Sequence, residues 1–284
     1  MNATTDWYET SLIGNGSYQI TEARGALPCN SFLVVDGEEG LLIDTGLGIG
    51  DLPETVAELT DVSPTVLLTH SHWDHIGAAG AFDDIVTDER ERTDDGRVTI
   101  DTLSEEFVER PGQFVESWRE LDREFPEDFD PDAYEISPAT DVGTVEPGDE
   151  LAVGEHTLEL LAVPGHSPGQ LAAIDHETGI CYGADAVGIG GNLYAHFQDC
   201  DVSAYVETFE RLIDRYESGA FDTLATGHND PLEGDEIEIL ETMRDGLEDI
   251  LDDAIPYETV ETDWGPARQY EIADFVVLTR TDVT

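Results

Sequence analysis

Lysine is absent from this 284-residue chain: all 12 basic residues are arginines, set against 65 aspartates and glutamates, for a formal net charge of −53. No separate basic arm is available to hold RNA or DNA, so nucleic acid is not expected as a partner. The acidity itself is a weaker sign, because high salt also suppresses the counterion release that drives such binding. Cysteine is scarce: Cys29, Cys181 and Cys200 are odd in number and none stands in C-x-x-C spacing. A disulfide framework is therefore not expected, and the three read as small buried apolar residues in a reducing compartment. No apolar run approaches the ~18 residues of a membrane span. The opening MNATTDWYET lacks the basic flank and apolar stretch of a signal peptide. These absences lead to the expectation of a cytoplasmic protein with no membrane partner. With no Ser/Gly/Pro-rich linker in view, they also favour one domain over residues 1–284.

What is present in excess is acid, and it is spread through segments that also carry apolar periodicity, so it belongs to the surface of a folded domain rather than to a disordered tail. At ~1 M salt the Debye length falls to about 3 Å and self-repulsion is largely screened. The composition thus resembles that of halophilic archaeal proteins, and it says nothing about substrate.

Along the chain, SFLVVDGEEGLLIDTG reads as a hairpin that ends at Asp44. A helix over 51–59 and a buried strand over 65–69 follow. Residues 88–150 are acidic and poor in strand-forming runs. Within them Val115, Trp118, Leu121 and Phe125 recur at helical spacing, with Leu103 and Phe107 a similar pair, which predicts a helical insertion. HTLELLAVP reads as a strand, and QLAAIDHETGICYGAD as a hairpin turning at 176–179. Ser203 is expected to cap a helix with Val206, Phe209, Leu212, Ile213 and Tyr216 on its face. A strand over 222–226, a last amphipathic helix carrying Ile237, Leu240, Met243, Leu247 and Ile250, and an edge strand at DFVVLT complete the pattern. Strands early and helices late in each half suggest sheets between helices.

The chemistry is concentrated in LLTHSHWDHIGAAG, residues 67–80, where three histidines and an aspartate fall within six positions. Buried polar groups of that kind need partners, and a metal is the obvious one. In extended chain His70, His72 and Asp74 would share one face and His75 would point away. Imidazole and carboxylate are expected ligands for zinc or a similar ion. Three further polar residues sit where an apolar strand runs into a turn, each directly after Gly or Ala: His166 in AVPGHSPG, Asp185 in CYGAD and His228 in LATGHND. Small neighbours permit close backbone approach there. His156, His176 and His196 read instead as satisfied core or surface residues, and Trp73 as packing beneath the loop rather than stacking on substrate. Structural zinc is usually closed by four ligands and rich in cysteine, so this donor set points to an open, catalytic site.

Taken in order, the HxHxDH run at 70–75 with His166, Asp185, His228 and the IDTG at Asp44 resembles the motif set of the metallo-β-lactamase superfamily. The resemblance implies an α/β fold, an αββα four-layer sandwich of two mixed sheets flanked by helices, with a dinuclear site at its open edge. It implies one ion on His70, His72 and His166 and another on Asp74, His75 and His228. Asp185 would bridge the two, with Asp44 standing just behind the ligands. The ions would be divalent, zinc first, with iron or manganese as substitutes. True β-lactamases of the best-known subclass carry cysteine where Asp185 stands, so antibiotic hydrolysis is not expected as the main activity. The spacing is closer to acyl-homoserine lactonases and glyoxalase II type thioesterases, apart from the insertion at 88–150. Lactonases often carry a tyrosine just after the bridging aspartate; here AVG follows. Tyr194 is the nearest tyrosine, and it and His196 are candidate substrate contacts. Beyond the last ligand only Arg244, Arg268 and Arg280 could hold an anionic cofactor.

The expected activity is hydrolysis of a small ester, thioester or lactone by a metal-activated water, with Asp74 orienting the nucleophile. A mononuclear iron persulfide dioxygenase, a nuclease or phosphodiesterase of the same fold, and a non-catalytic metal-binding regulator are the alternatives. The last typically loses a ligand, and none is lost here. The insertion is expected to serve as a lid or as a homodimer contact.

Overall fold

In the computed structural model the described residues are 7–22, 28–188, 192–262, 264–273 and 275–282. The chain divides after Thr157 into two compact units.

The first unit is built on a seven-stranded sheet whose strands follow in sequence order: β1 (Tyr8–Gly14), β2 (Ser17–Glu22), β3 (Cys29–Asp36), β4 (Glu39–Ile43), β5 (Thr65–Leu67), β6 (Ile85–Thr87) and β7 (Gly143–Thr144). The pairs from β1 to β4 are antiparallel and those from β4 to β7 parallel. The parallel run matters for function, because β4, β5 and β6 all release the chain at the same edge. β3 is buried over six consecutive residues, the pattern of a strand covered on both faces. Helix α1 (Leu52–Leu59) sits between β4 and β5; Asp51 caps it, accepting from the Glu54 N–H at 2.9 Å. Its Leu52 and Val56 pack with Leu33, Leu42 and Val66 of the sheet.

The insertion holds a single α-helix, α2 (Arg110–Glu120). Val115 and Trp118 are buried on it as the periodicity predicts. The helix stops before Phe125: Leu121 is its C-cap and is exposed, and Asp122 adopts a left-handed φ of 52°. Phe107 lies in a separate 3₁₀ turn. Aromatic contacts, not one continuous helix face, hold this stretch together: Trp118 packs on Trp7, Phe114 and Phe125. After β7 comes β8 (Glu150–Val153).

The second unit begins within β9 (His156–Ala162), followed by β10 (Leu171–Asp175), β11 (Ile180–Tyr182), β12 (Asn192–Ala195), α3 (Val202–Glu217), β13 (Thr223–Ala225), β14 (Leu232–Glu233), α4 (Ile239–Leu251), β15 (Glu258–Thr262), β16 (Gly265–Ile272) and β17 (Phe275–Arg280). One sheet runs β14-β13-β11-β10-β9 and another β12-β17-β16-β15. Phe209, Leu212, Leu240 and Leu247 of the two helices form a core with Leu161, Ile174 and Leu224 of the first sheet. Each unit is therefore a helix layer on a mixed sheet.

Two details differ from expectation. The cap of α3 is Asp201, two residues earlier than Ser203, because its carboxylate reaches the N–H groups of Ser203 and Ala204 at 2.9 and 3.1 Å. The strand expected at the sheet edge, β17, is interior: it pairs parallel with β12 and antiparallel with β16, leaving β12 and β15 at the edges. Asp274, the first residue expected there, lies outside the described residues. No helix among the described residues is long and apolar enough to cross a membrane.

Candidate metal centre

In the first unit the chemistry gathers where β4 and β5 end. The extended conformation stops at Leu67, and residues 70–75 coil into a turn closed by the His75 N–H on the His72 carbonyl at 3.0 Å. His75 therefore does not point away, as strand alternation predicts. Its ring centroid lies 4.2 Å from that of His70, which is itself 4.7 Å from that of His72. Three buried imidazoles thus crowd together.

Asp44 organises the group. It leaves β4 with φ of 59°, a left-handed conformation that is strained for a residue other than glycine. Its carboxylate accepts from the Thr69 N–H at 2.8 Å, from the Thr69 hydroxyl at 2.7 Å and from Nδ1 of His75 at 2.8 Å. Donation from Nδ1 fixes the tautomer of His75 and leaves Nε2 as the nitrogen that carries the lone pair, the arrangement of a metal-ligating histidine. Asp44, His70 and His75 present donor atoms within 4.8 Å of one another. Asp44 thus has both oxygens engaged, by Thr69 and by His75. The loop after it is locked by the N–H and hydroxyl of Thr45 on the His75 carbonyl. Gly77 passes so close that a Cβ there would lie 2.0 Å from the Leu47 carbonyl carbon.

The insertion reaches this loop. The Phe107 ring centroid is 4.5 Å from that of His72, and Trp73, buried as expected, packs on Phe114 at 5.9 Å. Sequence reasoning missed Glu91, which is 0% exposed and accepts from the N–H and hydroxyl of Ser71, the residue between two of the histidines, at 3.0 and 2.8 Å. Among 65 acidic residues nothing in the sequence distinguishes it. It also missed Glu22, whose buried carboxylate gathers the N–H groups of Leu47, Ile49 and Gly50 and the Trp7 indole. Burial raises the Glu22 carboxyl above its usual range, and those hydrogen bonds oppose the rise.

In the second unit β9 is antiparallel to β10, β10 to β11, and β11 parallel to β13. It follows that β9, β11 and β13 deliver their ends to one edge, and these ends carry His166, Asp185 and His228. One carboxylate oxygen of Asp185 is 3.4 Å from Nε2 of His166 and 3.1 Å from Nε2 of His228. A single carboxylate oxygen of Asp185 thus lies between two imidazoles. Ala184, directly before it, has φ of 46°, again strained for a residue with a Cβ. Gly165, before His166, has φ of 134°, and a Cβ there would meet Cγ of Tyr205 at 2.5 Å. The glycine before His166 is thus required by close approach.

Tyr194 and His196 lie on and just after β12, where Phe197 and Trp264 join them: His196 is 4.7 Å from Phe197 and 5.2 Å from Trp264, ring to ring, and Phe197 is 5.9 Å from His166. Trp264 carries no motif that could have singled it out. His156 is buried, while His176 is partly exposed and pairs with Glu159 at 3.2 Å, so both fit the structural reading given to them. The buried imidazole and carboxylate donors suit a borderline divalent ion such as zinc.

A model of the metallo-beta-lactamase superfamily matches residues 24–228. The acyl-coenzyme A thioesterase MBLAC2 of Homo sapiens is 28% identical over 244 residues, covering 78% of this chain and 81% of the human protein. The Gallus gallus protein of the same name is 26% identical over 238 residues, with the same coverage. Among solved structures, a metallo-beta-lactamase family protein from Thermus thermophilus aligns with a TM-score of 0.59 at 25% identity, covering 84% of this chain and 81% of that one. A metallo-beta-lactamase from Pontibacter korlensis aligns at 0.58 and 19% identity, covering 85% and 99%, a likeness of fold alone.

Proposed function

The chain belongs to the metallo-β-lactamase superfamily and is a metal-dependent hydrolase of a small-molecule substrate; from that premise we propose that it cleaves acyl thioesters or related esters at a centre for two divalent ions. The observation that carries this reading is the pair of buried donor sets: His70, His72 and His75 organised by Asp44, and Asp185 set between His166 and His228. Motif order assigns His70, His72 and His166 to one ion and Asp74, His75 and His228 to the other, with Asp185 shared. Zinc is the proposed metal. Bound there, the ions would lower the pKa of water toward neutrality and polarise the acyl carbonyl.

Asp74 holds and orients the attacking water. The water oxygen bonds to the acyl carbon, the carbon–sulfur bond breaks, and the proton released passes by way of Asp74 to the departing sulfur, giving a carboxylic acid and a thiol. Phe107, seated on His72, brings the insertion to the rim of the site as an apolar wall for the acyl group. The thioester reading draws support from the named activity of the curated relatives. Recognition is proposed to centre on the acyl and sulfur end, because a chain without lysine has few cations for a polyphosphate handle.

The test is a panel of acyl thioesters, esters, lactones and phosphodiesters, assayed in high salt with metal content measured alongside. Thioester hydrolysis that is lost on chelation, regained with zinc and lowered about a hundredfold or more by Asp74→Ala is the expected result. A zinc-replete preparation that cleaves no thioester or ester would overturn the proposal.

A further inference from the structure

Cys29 reads in the sequence as one more small apolar residue, and the structure gives it a different setting. It opens β3, opposite Glu22 in the register of the sheet, and is 1% exposed. Its Sγ lies no more than 4.8 Å from a carboxylate oxygen of Asp74. Tyr134 of the insertion marks the same spot: burial first, and then the nearby Glu22, Cys29 and Asp74, hold its phenol well above the ordinary range. The Tyr134 hydroxyl donates to the Leu47 carbonyl, which seats the ring against the loop that follows Asp44. The contrast is with Cys181 in the core of the second unit, where burial pushes the thiol up to about 12. That thiol is an inert apolar filler.

A thiol beside a buried carboxylate of the HxHxDH run is a donor pair. Zinc holds sulfur at about 2.3 Å and carboxylate oxygen at about 2.0–2.2 Å, so two donors of one tetrahedral ion stand about 3.6 Å apart. The two atoms, no more than 4.8 Å apart, are neighbours on the scale of one ion's donor set. We infer that Cys29 is a further ligand of the ion assigned to Asp74 and His75, which makes that ion's site a mixed sulfur, oxygen and nitrogen centre. The inference rests on the two-ion reading above and adds to it a residue outside the histidine and aspartate motifs. The sulfur binds as thiolate: the metal–sulfur bond forms as the S–H bond breaks, and the proton leaves to water. A thiolate in the set favours zinc, cobalt and iron over manganese and magnesium, whose preferred partners are oxygens.

Cobalt(II) reports the ligand directly. The full-length protein, stripped of metal and reloaded with cobalt in high salt, is expected to show visible d–d bands together with a near-ultraviolet thiolate-to-cobalt charge-transfer band. Cys29→Ser is expected to lose the charge-transfer band, keep the d–d bands and bind zinc about tenfold or more weakly in competition with a chelator. Cys181→Ser is expected to retain the band. Cobalt bound by the unaltered protein with d–d bands and no sulfur band would overturn the Cys29 assignment and leave the metal centre standing. A sulfur band that survives Cys29→Ser and disappears in Cys200→Ser would overturn it as well. Failure to bind cobalt or zinc at all would remove the metal centre, and this inference with it. The first measurement uses the unaltered chain, so a variant that does not fold cannot mask the answer.

Discussion

Asp44 is the residue on which the first donor set depends. A left-handed backbone at a non-glycine position costs about 1–3 kcal/mol and persists only where the surroundings over-determine it. Here three hydrogen bonds to one carboxylate do so, two from Thr69 and one from His75. Losing it would free His75 to take the other tautomer and turn its ring. Asp44→Ala is therefore expected to weaken zinc binding about 10- to 100-fold, measured by chelator competition. Affinity equal to that of the unaltered protein would show that the ring is held by packing on His70 instead. The strained Ala184 before Asp185 suggests that both donor sets store backbone strain at the residue that turns the chain off its strand.

Among the elements, α3 links packing to the site most directly. Its buried face supplies Tyr205 and Phe209 to the core of the second unit, and Tyr205 is the residue against which Gly165 fits, one position before His166. The helix starts at Asp201, whose N–H also donates to the Gly165 carbonyl at 2.8 Å. The Ser203 hydroxyl and the N–H groups of Ala204 and Ser203 hold the Asp201 carboxyl below its usual range, against a smaller opposing effect of burial. A carboxyl depressed in the folded state contributes stability above its unfolded pKa of about 3.9 and loses that contribution as pH falls through the folded value. Asp201→Ala is expected to cost about 0.5–2 kcal/mol at neutral pH. In thermal unfolding followed from pH 7 downward, the gap between variant and parent should narrow below about pH 4. A gap independent of pH would mean that the cap acts through something other than its charge.

On the scale of the whole molecule the governing quantity is the net charge of −53. At 0.01 M salt the Debye length is about 30 Å, so acidic groups across a unit repel one another, whereas at 1 M it is about 3 Å and only neighbours interact. The thermal midpoint is expected to rise steeply between about 0.05 M and 2 M potassium chloride and then to flatten. A midpoint insensitive to salt would refute the adaptation read from composition. With no lysine and twelve arginines, several of which pair with adjacent acids such as Asp88, Asp95 and Asp282, local ion pairs neutralise only a small part of that charge.

The sequence by itself determined the fold class, most of the strands and helices, and the identities of the histidines and aspartates at the strand ends. Those features are written locally, in apolar periodicity and in motifs a few residues long. Tertiary structure decided what local pattern cannot express. The turn at 70–75 reverses the side of His75 because the strand ends at Leu67 and a hydrogen bond closes the loop, so alternation no longer applies. Phe125 leaves the helix that its spacing predicts because Asp122 turns left-handed and aromatic packing on Trp118 offers it another place. β17 becomes interior only because β12, some eighty residues earlier in the chain, pairs along it. Glu91 and Cys29 acquire their roles in the same way, one from Ser71 and the other from Asp74. A lone acid or thiol carries no signal until folding sets a partner distant in the chain beside it.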